Sequence, residues 1–251
     1  MHNDHIEYEK QPIIVQSTPK GPGALALIRA TGNNIFQLSL AAIQLTSKKT
    51  IMEMATHTIS HGHIVDVSGN IIDDVVVIKM CTPKTFTGED TLEITCHNNQ
   101  LIINNILNRF YECGFRPAEP GEFTRRAVIN EKIVLSQAEA IHELIFASNQ
   151  YAINNALAQL KGSILSFVAE FDNDLTKIAA WCQASFEFLD EERDFKEVII
   201  SLIEHLIKKI KTCIDARDIQ KQINNGIRVA LVGDANAGKS SLFNMILGHN
   251  R

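Results

Sequence analysis

The sequence has few of the features that mark a secreted, metal-binding or membrane-bound protein. Its five cysteines are widely spaced and include no Cys-x-x-Cys pair, so they predict neither a disulfide framework nor a zinc site. No apolar run is long enough to span a bilayer, and the polar residues 1–11 lack the pattern of a signal peptide. These absences favour a cytoplasmic protein with reduced thiols and no membrane partner.

Basic charge is also scarce. The chain of 251 residues has 24 Lys and Arg against 29 Asp and Glu, which gives a formal net charge of −5 at pH 7. Surfaces that bind nucleic acid usually show as a basic excess, so any contact with RNA would need a local patch or a partner protein. The length allows more than one domain.

The first part of the chain predicts an α+β domain. Helices are expected at residues 33–45 and 100–111, and the second should stop at Cys113-Gly114 because glycine commonly ends helices. The turn Ser68-Gly69-Asn70 predicts a hairpin between its two neighbouring strands. Strand-like runs occur at residues 13–18, 24–29, 57–67, 71–80 and 91–96.

The pattern then changes to one of long helices. Residues 136–225 contain no proline and a single glycine, Gly162, and apolar residues recur at helical spacing. The SQAE run at residues 136–139 predicts a capping box at the start of the first helix. The acidic residues 190–194 predict a bend between two helices.

A phosphate-binding loop is the sharpest motif. The GDANAGKS run at residues 233–240 matches G-x-x-x-x-G-K-[ST], between a β-rich run at 228–232 and a helix-like run at 239–247. Lys239 would reach the outer phosphates and Ser240 would hold Mg²⁺. The predicted nucleotide-binding residues are Asn236, Ala237, Gly238, Lys239, Ser240 and Ser241.

Two features count against nucleotide hydrolysis. Asp234 places a carboxylate in the loop, where it would repel phosphate unless it points away. Fewer than twenty residues follow Gly233, although a P-loop domain needs a parallel sheet, switch segments and a base-reading loop. We therefore expect a truncated GTPase domain, no catalytic residue and no measurable GTPase activity in the chain as given.

Four segments together resemble the MnmE (TrmE) family of tRNA-modification GTPases. They are TGEDTLEI at 87–94, PGEFTRRA at 120–127, LSQAEA at 135–140 and the loop segment 226–244. The resemblance implies a folate-binding and dimerisation domain at residues 1–118, an incomplete helical domain at 119–225 and the truncated start of a P-loop GTPase domain at 226–251. It also implies a homodimer formed through the first domain.

The same resemblance implies a function. The protein would act with the flavoprotein MnmG (GidA) on carbon 5 of the wobble uridine of tRNA, which it reaches through their complex. The implied cofactors are GTP, Mg²⁺, K⁺ held by Asn236, and 5-formyltetrahydrofolate or 5,10-methylenetetrahydrofolate. Folate would be bound by Arg29, Glu93 and Lys132. A glutamate can accept hydrogen bonds from pterin N–H groups, while arginine and lysine suit anionic or carbonyl oxygens.

The chain departs from the family pattern at several positions near this folate site. Asn98-Asn99 replaces paired glycines, Glu131 replaces the glycine of an Asn-Gly-Lys run, and Val134 replaces an aspartate. Arg125 and Arg126 could meet phosphate or acids, or could lie on a solvated helix face.

Other patterns have plainer explanations. The histidines 57, 61 and 63 fit an edge strand better than a metal site, and Trp181 with Phe186 fits helix packing better than base stacking. Two other functions remain open: a truncated, dimerising folate-binding module without GTPase activity, and a folate-dependent aminomethyl transferase, which the phosphate loop argues against.

Overall fold

The computed structural model describes residues 11–187, 195–225, 229–234 and 236–248, with the backbone alone for 216–225. The chain divides into two compact units, Met1–Ala138 and Glu139–Arg251. This division and the predicted boundary at residue 118 differ by the segment 119–138. That segment contains a helix at Glu122–Ile129 that pairs with residues of the first unit, as described below.

A seven-stranded sheet forms the frame of the first unit. Every neighbouring pair is antiparallel except β1 with β7, which is parallel, so the two ends of the unit meet at one edge. The spatial order is β3-β4-β5-β6-β2-β1-β7. The strands are β1 (Ile13–Gln16), β2 (Leu25–Thr31), β3 (Ile43–Leu45), β4 (Thr58–Val65), β5 (Ile71–Met80), β6 (Thr91–His97) and β7 (Arg116–Pro117).

The core lies on one face of this sheet. Helix α1 (Ile35–Ser39) and helix α2 (Gln100–Glu112) cover that face, and α3 (Glu122–Ile129) follows β7. Helix α2 begins where the Asn99 side chain accepts hydrogen bonds from two backbone N–H groups. It ends before Gly114, whose φ of 99° suits glycine. Its buried side chains join the core cluster: Ile103, Ile106 and Phe110.

The predicted helix over residues 33–45 is wrong in its second half. The helix ends at Ser39, and residues 43–45 form the short strand β3, which pairs with β4. Ile43 and Leu45 are buried while Gln44 is exposed, a two-residue alternation that suits a half-buried strand. Because β3 covers one side of β4, the strand that carries His61 and His63 is not the sheet edge.

Long helices form the second unit, as the sequence predicts. Helix α4 (Leu135–Phe146) leads into α5 (Gln150–Leu160), α6 (Ser163–Glu187) and α7 (Phe195–Asn225). Lys209 of α7 lies 3.1 Å from an oxygen of Asp174 and 3.2 Å from one of Glu170, both on α6. The predicted bend at 190–194 lies outside the described residues.

The capping box predicted at Ser136 is wrong. Helix α4 already begins at Leu135, so Ser136 lies inside its first turn. The Gln137 side chain instead accepts a hydrogen bond of 3.1 Å from the Val134 backbone N–H. The Gln137 amide therefore satisfies one backbone N–H at this helix start.

The strand expected before the phosphate loop is absent from the part that the structure describes. Residues 229–232 have no regular structure there, and Val229 and Val232 are 78% and 92% exposed. A strand needs a partner for its backbone groups, and this segment has none among the described residues. Helix α8 (Lys239–Leu247) does form. Its exposed apolar side chains are Leu242, Phe243, Ile246 and Leu247.

None of the described helices combines the length and the apolar character that crossing a membrane requires.

Candidate functional site

Arg29 and Glu93 face each other at the centre of the sheet. They are register partners on the neighbouring strands β2 and β6. The Arg29 Nε donates a hydrogen bond of 2.7 Å to Glu93 Oε1, and its Nη2 lies 2.6 Å from the same oxygen. Their side chains are 32% and 18% exposed. The structure therefore brings two of the three predicted folate residues into direct contact.

The strand register places this pair on the sheet face opposite the core. Ile78 of β5 is the partner of Glu93, and Val15 of β1 is the partner of Arg29. The four residues form one row across four strands, because cross-strand partners share a face. The ion pair thus lies between two apolar side chains.

A cluster of hydroxyl groups lies on the same face, two residues beyond Arg29 along β2. Thr31 is buried and shares a hydrogen bond of 2.7 Å with Thr87, from the loop between β5 and β6. Its hydroxyl also donates to the Asp90 carbonyl at 3.0 Å. This loop, which carries the TGED motif, is therefore fixed against the strand that holds Arg29.

Lys132 lies against the same loop. Its Nζ donates a hydrogen bond of 2.8 Å to the Pro83 carbonyl, and an added Cβ on Gly88 would come within 3.1 Å of the Lys132 side chain. Asn130 donates a hydrogen bond of 2.7 Å to the Thr87 carbonyl. The third predicted folate residue is thus placed by the loop that leads into β6.

A buried ion network joins two of the sequence motifs. Glu122, whose side chain is 0% exposed, pairs with Arg116 and with Arg126, and Arg126 also lies 3.0 Å from Glu89. Burial raises the pKa of Glu122, but hydrogen bonds from Arg116, the Glu119 backbone and Arg126 outweigh it and lower that pKa to about 2.

The network shows which of the two interpretations applies to each of Arg125 and Arg126: contact with acids, or exposure on a helix face. Arg126 is 5% exposed and pairs with acids. One of these acids, Glu89, belongs to the TGED run, so that acid-rich run is the feature of the sequence that pointed to the pairing. Arg125 is 43% exposed and lies 3.4 Å from Glu119, as expected of a residue on a solvated helix face.

Two of the departures from the family pattern have visible consequences. Asn98 donates a side-chain hydrogen bond of 2.8 Å to the Gly21 carbonyl, and Asn99 caps α2, so both asparagines have structural roles. Glu131 adopts a φ of 55°, the left-handed region that a glycine would occupy without strain.

A histidine and an aspartate that the sequence analysis did not single out pair at the end of β6. The ring Nδ1 of His97 lies 2.8 Å from Asp73 Oδ1, and the His97 backbone N–H donates to Asp73 Oδ2 at 2.9 Å. The hydrogen bond to Asp73 raises the pKa of His97. The two residues come from different strands, so only the strand register reveals the pair.

The histidines 61 and 63 form ordinary strand contacts. Their rings lie 5.8 Å apart, with Thr46 beside the first and Asp74 beside the second. Among the described residues, no cluster of three or more His, Cys, Asp or Glu residues could hold a metal ion.

The phosphate loop has its lysine folded back on its own backbone. Lys239 Nζ donates to the Gly233 carbonyl at 2.8 Å and to the Asp234 carbonyl at 2.6 Å. Asn236 and Gly238 adopt left-handed φ angles of 61° and 79°, which turn the chain into α8. Ser240 lies in the first turn of that helix. The predicted nucleotide residues 236–241 are consecutive here, and Ala235, which precedes them, lies outside the described residues.

Two family models match the chain and together cover most of it. Residues 12–132 match the model described as the N-terminus of the GTP-binding protein TrmE, and residues 135–246 match the MnmE helical domain.

Curated relatives named tRNA modification GTPase MnmE are similar along nearly the whole chain. The relative from Flavobacterium johnsoniae is 35% identical over 244 residues, which cover 95% of this chain and 52% of the relative. The relative from Protochlamydia amoebophila is 37% identical over 246 residues, or 97% and 53% of the two chains. The one from Bacillus subtilis is 34% identical over 235 residues, or 92% and 51%. The chain thus spans about half the length of these relatives.

Proposed function

The chain belongs to the MnmE (TrmE) family of tRNA modification GTPases, and we propose that it supplies the folate-binding and dimerising part of a GTP-dependent protein. That protein modifies carbon 5 of the wobble uridine of tRNA together with the flavoprotein MnmG. Contact with tRNA occurs through the complex, in the cytoplasm. The net charge of −5 agrees with an RNA contact that depends on a partner.

The observation that carries folate binding is the Arg29–Glu93 pair, which lies between Val15 and Ile78 on the sheet face opposite the core. A half-buried carboxylate between Ile78 and Arg29 offers an acceptor to the N–H edge of a flat ring such as a pterin. Lys132 adds a cation on the loop that leads into β6. The ligand would be 5-formyltetrahydrofolate or 5,10-methylenetetrahydrofolate, which supplies the one-carbon unit.

Calorimetric titration with 5-formyltetrahydrofolate tests this proposal. Glu93→Ala should weaken binding by roughly 1–3 kcal/mol, because it leaves the ligand donor without an acceptor. Glu112→Ala is the matched control, since that carboxylate lies on α2, which covers the core face. Equal affinity in wild type and Glu93→Ala would remove Glu93 from the folate site.

Self-association is supported by the apolar side chains on the same open face. Leu25, Ile59 and Val76 are 60%, 68% and 36% exposed there. Light scattering of the 251-residue chain should give the mass of a dimer at micromolar concentration. Ile59→Asp should shift it toward monomer, whereas Leu101→Asp on α2 should not. A monomeric wild type would contradict the proposal.

The phosphate loop supports binding of a guanine nucleotide with Mg²⁺ and K⁺. Lys239 donates hydrogen bonds to the loop backbone, and Ser240 lies in the first turn of α8, where its hydroxyl would supply one oxygen to Mg²⁺. The other Mg²⁺ ligands in such a site come from the nucleotide phosphates and water. Asn236 would contribute an oxygen to K⁺.

A second candidate is a dimerising folate-binding module without GTPase activity. The observation that favours it is the exposed segment 229–232, which forms no strand among the described residues. An assay of GTP hydrolysis, given in the Discussion, separates the two candidates.

A further inference from the structure

We infer that Arg29 is a positioning residue, which fixes the Glu93 carboxylate for a pterin edge and does not bind the acidic tail of the folate. This inference rests on the proposed folate-binding function. Arginine commonly binds ligand carboxylates, so its charge alone would suggest the acidic tail of the folate as its partner. The inference assigns it Glu93 instead.

The hydrogen-bond geometry carries the inference. Two donors of the guanidinium, Nε and Nη2, reach the same oxygen, Glu93 Oε1, at 2.7 and 2.6 Å. No described residue donates a hydrogen bond to Oε2. The carboxylate is therefore held by one oxygen while the other is left to accept from a ligand.

The location of the pair explains why Glu93 needs such support. Its side chain is 18% exposed and stands beside Ile78, so an unpaired charge there would be costly. The guanidinium neutralises that charge and fixes the rotamer of the carboxylate. A carboxylate that is already ordered loses little side-chain freedom when a ligand binds, which raises affinity.

This arrangement makes the two residues one functional unit. If Arg29 acts through Glu93, its removal matters only while the carboxylate is present to be positioned. Its effect should also be the same for every ligand that carries the pterin edge, whether or not that ligand has a carboxylate tail. Residues that act on one interaction show such non-additivity.

Two titration probes separate the possible roles: 5-formyltetrahydrofolate, which has the acidic tail, and 6-methyltetrahydropterin, which lacks it. Arg29→Gln should weaken binding of both by the same factor, roughly tenfold. The Arg29→Gln/Glu93→Gln double variant should bind no more weakly than Glu93→Gln alone. Arg125→Gln is the matched control, because that arginine is exposed on α3 and pairs with Glu119; it should leave both affinities unchanged.

A charge-reversed pair tests whether the effect is only structural. Arg29→Glu/Glu93→Arg keeps opposite charges on the same two strands, so thermal unfolding should return close to the wild-type temperature. Binding of both probes should stay lost, because the acceptor no longer stands on β6.

Four results would overturn the inference. A loss confined to the tail-bearing probe, or additive losses in the double variant, would mean that Arg29 contacts the ligand tail by itself. Binding restored by the charge-reversed pair would mean that the pair only stabilises the sheet. A wild-type chain that binds neither probe would instead overturn the proposed folate binding, and the inference with it.

Discussion

Glu122 shows what a single residue contributes to the frame that carries the candidate site. Its carboxylate is fully buried, and Arg116 and Arg126 meet it from β7 and from its own helix. Arg126 also pairs with Glu89, so this cluster anchors the loop that holds Lys132. The sequence motif contains these residues, but two partners of Arg126 lie 37 and 115 positions away along the chain. Their burial therefore cannot be predicted from the helix alone.

Replacing Glu122 with Gln should destabilise the first unit by about 3–5 kcal/mol near pH 7, because Arg116 and Arg126, whose side chains are 11% and 5% exposed, lose the buried carboxylate that they share. Folding lowers the pKa of Glu122 from its usual 4.5 to about 2. Its stabilisation is therefore present above about pH 4.5 and is lost as the pH falls through the folded value.

Urea unfolding of both chains at several pH values measures this difference. The gap between wild type and Glu122→Gln should be constant at neutral pH and should shrink as the pH falls from 4.5 toward 2. Glu119→Gln, whose carboxylate is 47% exposed, should change stability by about 1 kcal/mol or less. A gap that does not depend on pH would contradict the assigned charge network.

At the scale of elements, the sequence predicts best where local chemistry and tertiary packing agree. The hairpin of β4 and β5 and the asparagine-capped helix α2 follow from turn residues and periodicity. Residues 43–45 do not, because pairing with β4 overrides a helical spacing that continues past Ser39. The strand predicted before the phosphate loop is wrong for the opposite reason. Its composition suits a strand, but residues 229–232 have no partner strand among the described residues.

Gly62 of β4 offers a test of the pairing between β3 and β4, which makes residues 43–45 a strand instead of a helix. A Cβ at this position would lie 2.5 Å from the Gln44 carbonyl oxygen and 3.1 Å from the Leu45 Cα, so β3 would have to move. We expect Gly62→Ala to cost roughly 1–3 kcal/mol of stability. Ser60→Ala, two positions earlier on β4, should cost much less.

Hydrogen exchange locates the damage in that variant. Amides of β3 and of the facing part of β4 should exchange faster in Gly62→Ala, while those of β6 should keep their protection. Unchanged exchange at β3 would show that this close approach does not hold the strand in place.

At the scale of the whole molecule, the two candidate sites lie in different units. The predicted folate residues are all in Met1–Ala138, and the phosphate loop is in Glu139–Arg251. The family and the architecture were predictable because motifs are carried by short segments. The pairing of Arg29 with Glu93 was not, because it requires the register of two strands 64 residues apart.

A polypeptide that ends at Arg251 should release no phosphate from GTP in the presence of Mg²⁺ and K⁺. Phosphoryl transfer needs a positioned water and charge stabilisation around the γ-phosphate. The described loop supplies a lysine, a hydroxyl and backbone groups, with Val232 and much of α8 exposed. Phosphate release by the wild type that Lys239→Ala abolishes would refute this expectation and favour the GTPase candidate.

The meeting of β1 with β7 sets the order in which the first unit can be completed during synthesis. The strand at residues 13–16 takes its second neighbour from residues 116–117, and Arg126 donates a hydrogen bond of 2.7 Å to the carbonyl of Gln11. Segments made first therefore wait for segments made more than a hundred residues later. Until α3 has left the ribosome, the nascent sheet keeps an open edge at β1, which makes this stage the one most exposed to aggregation.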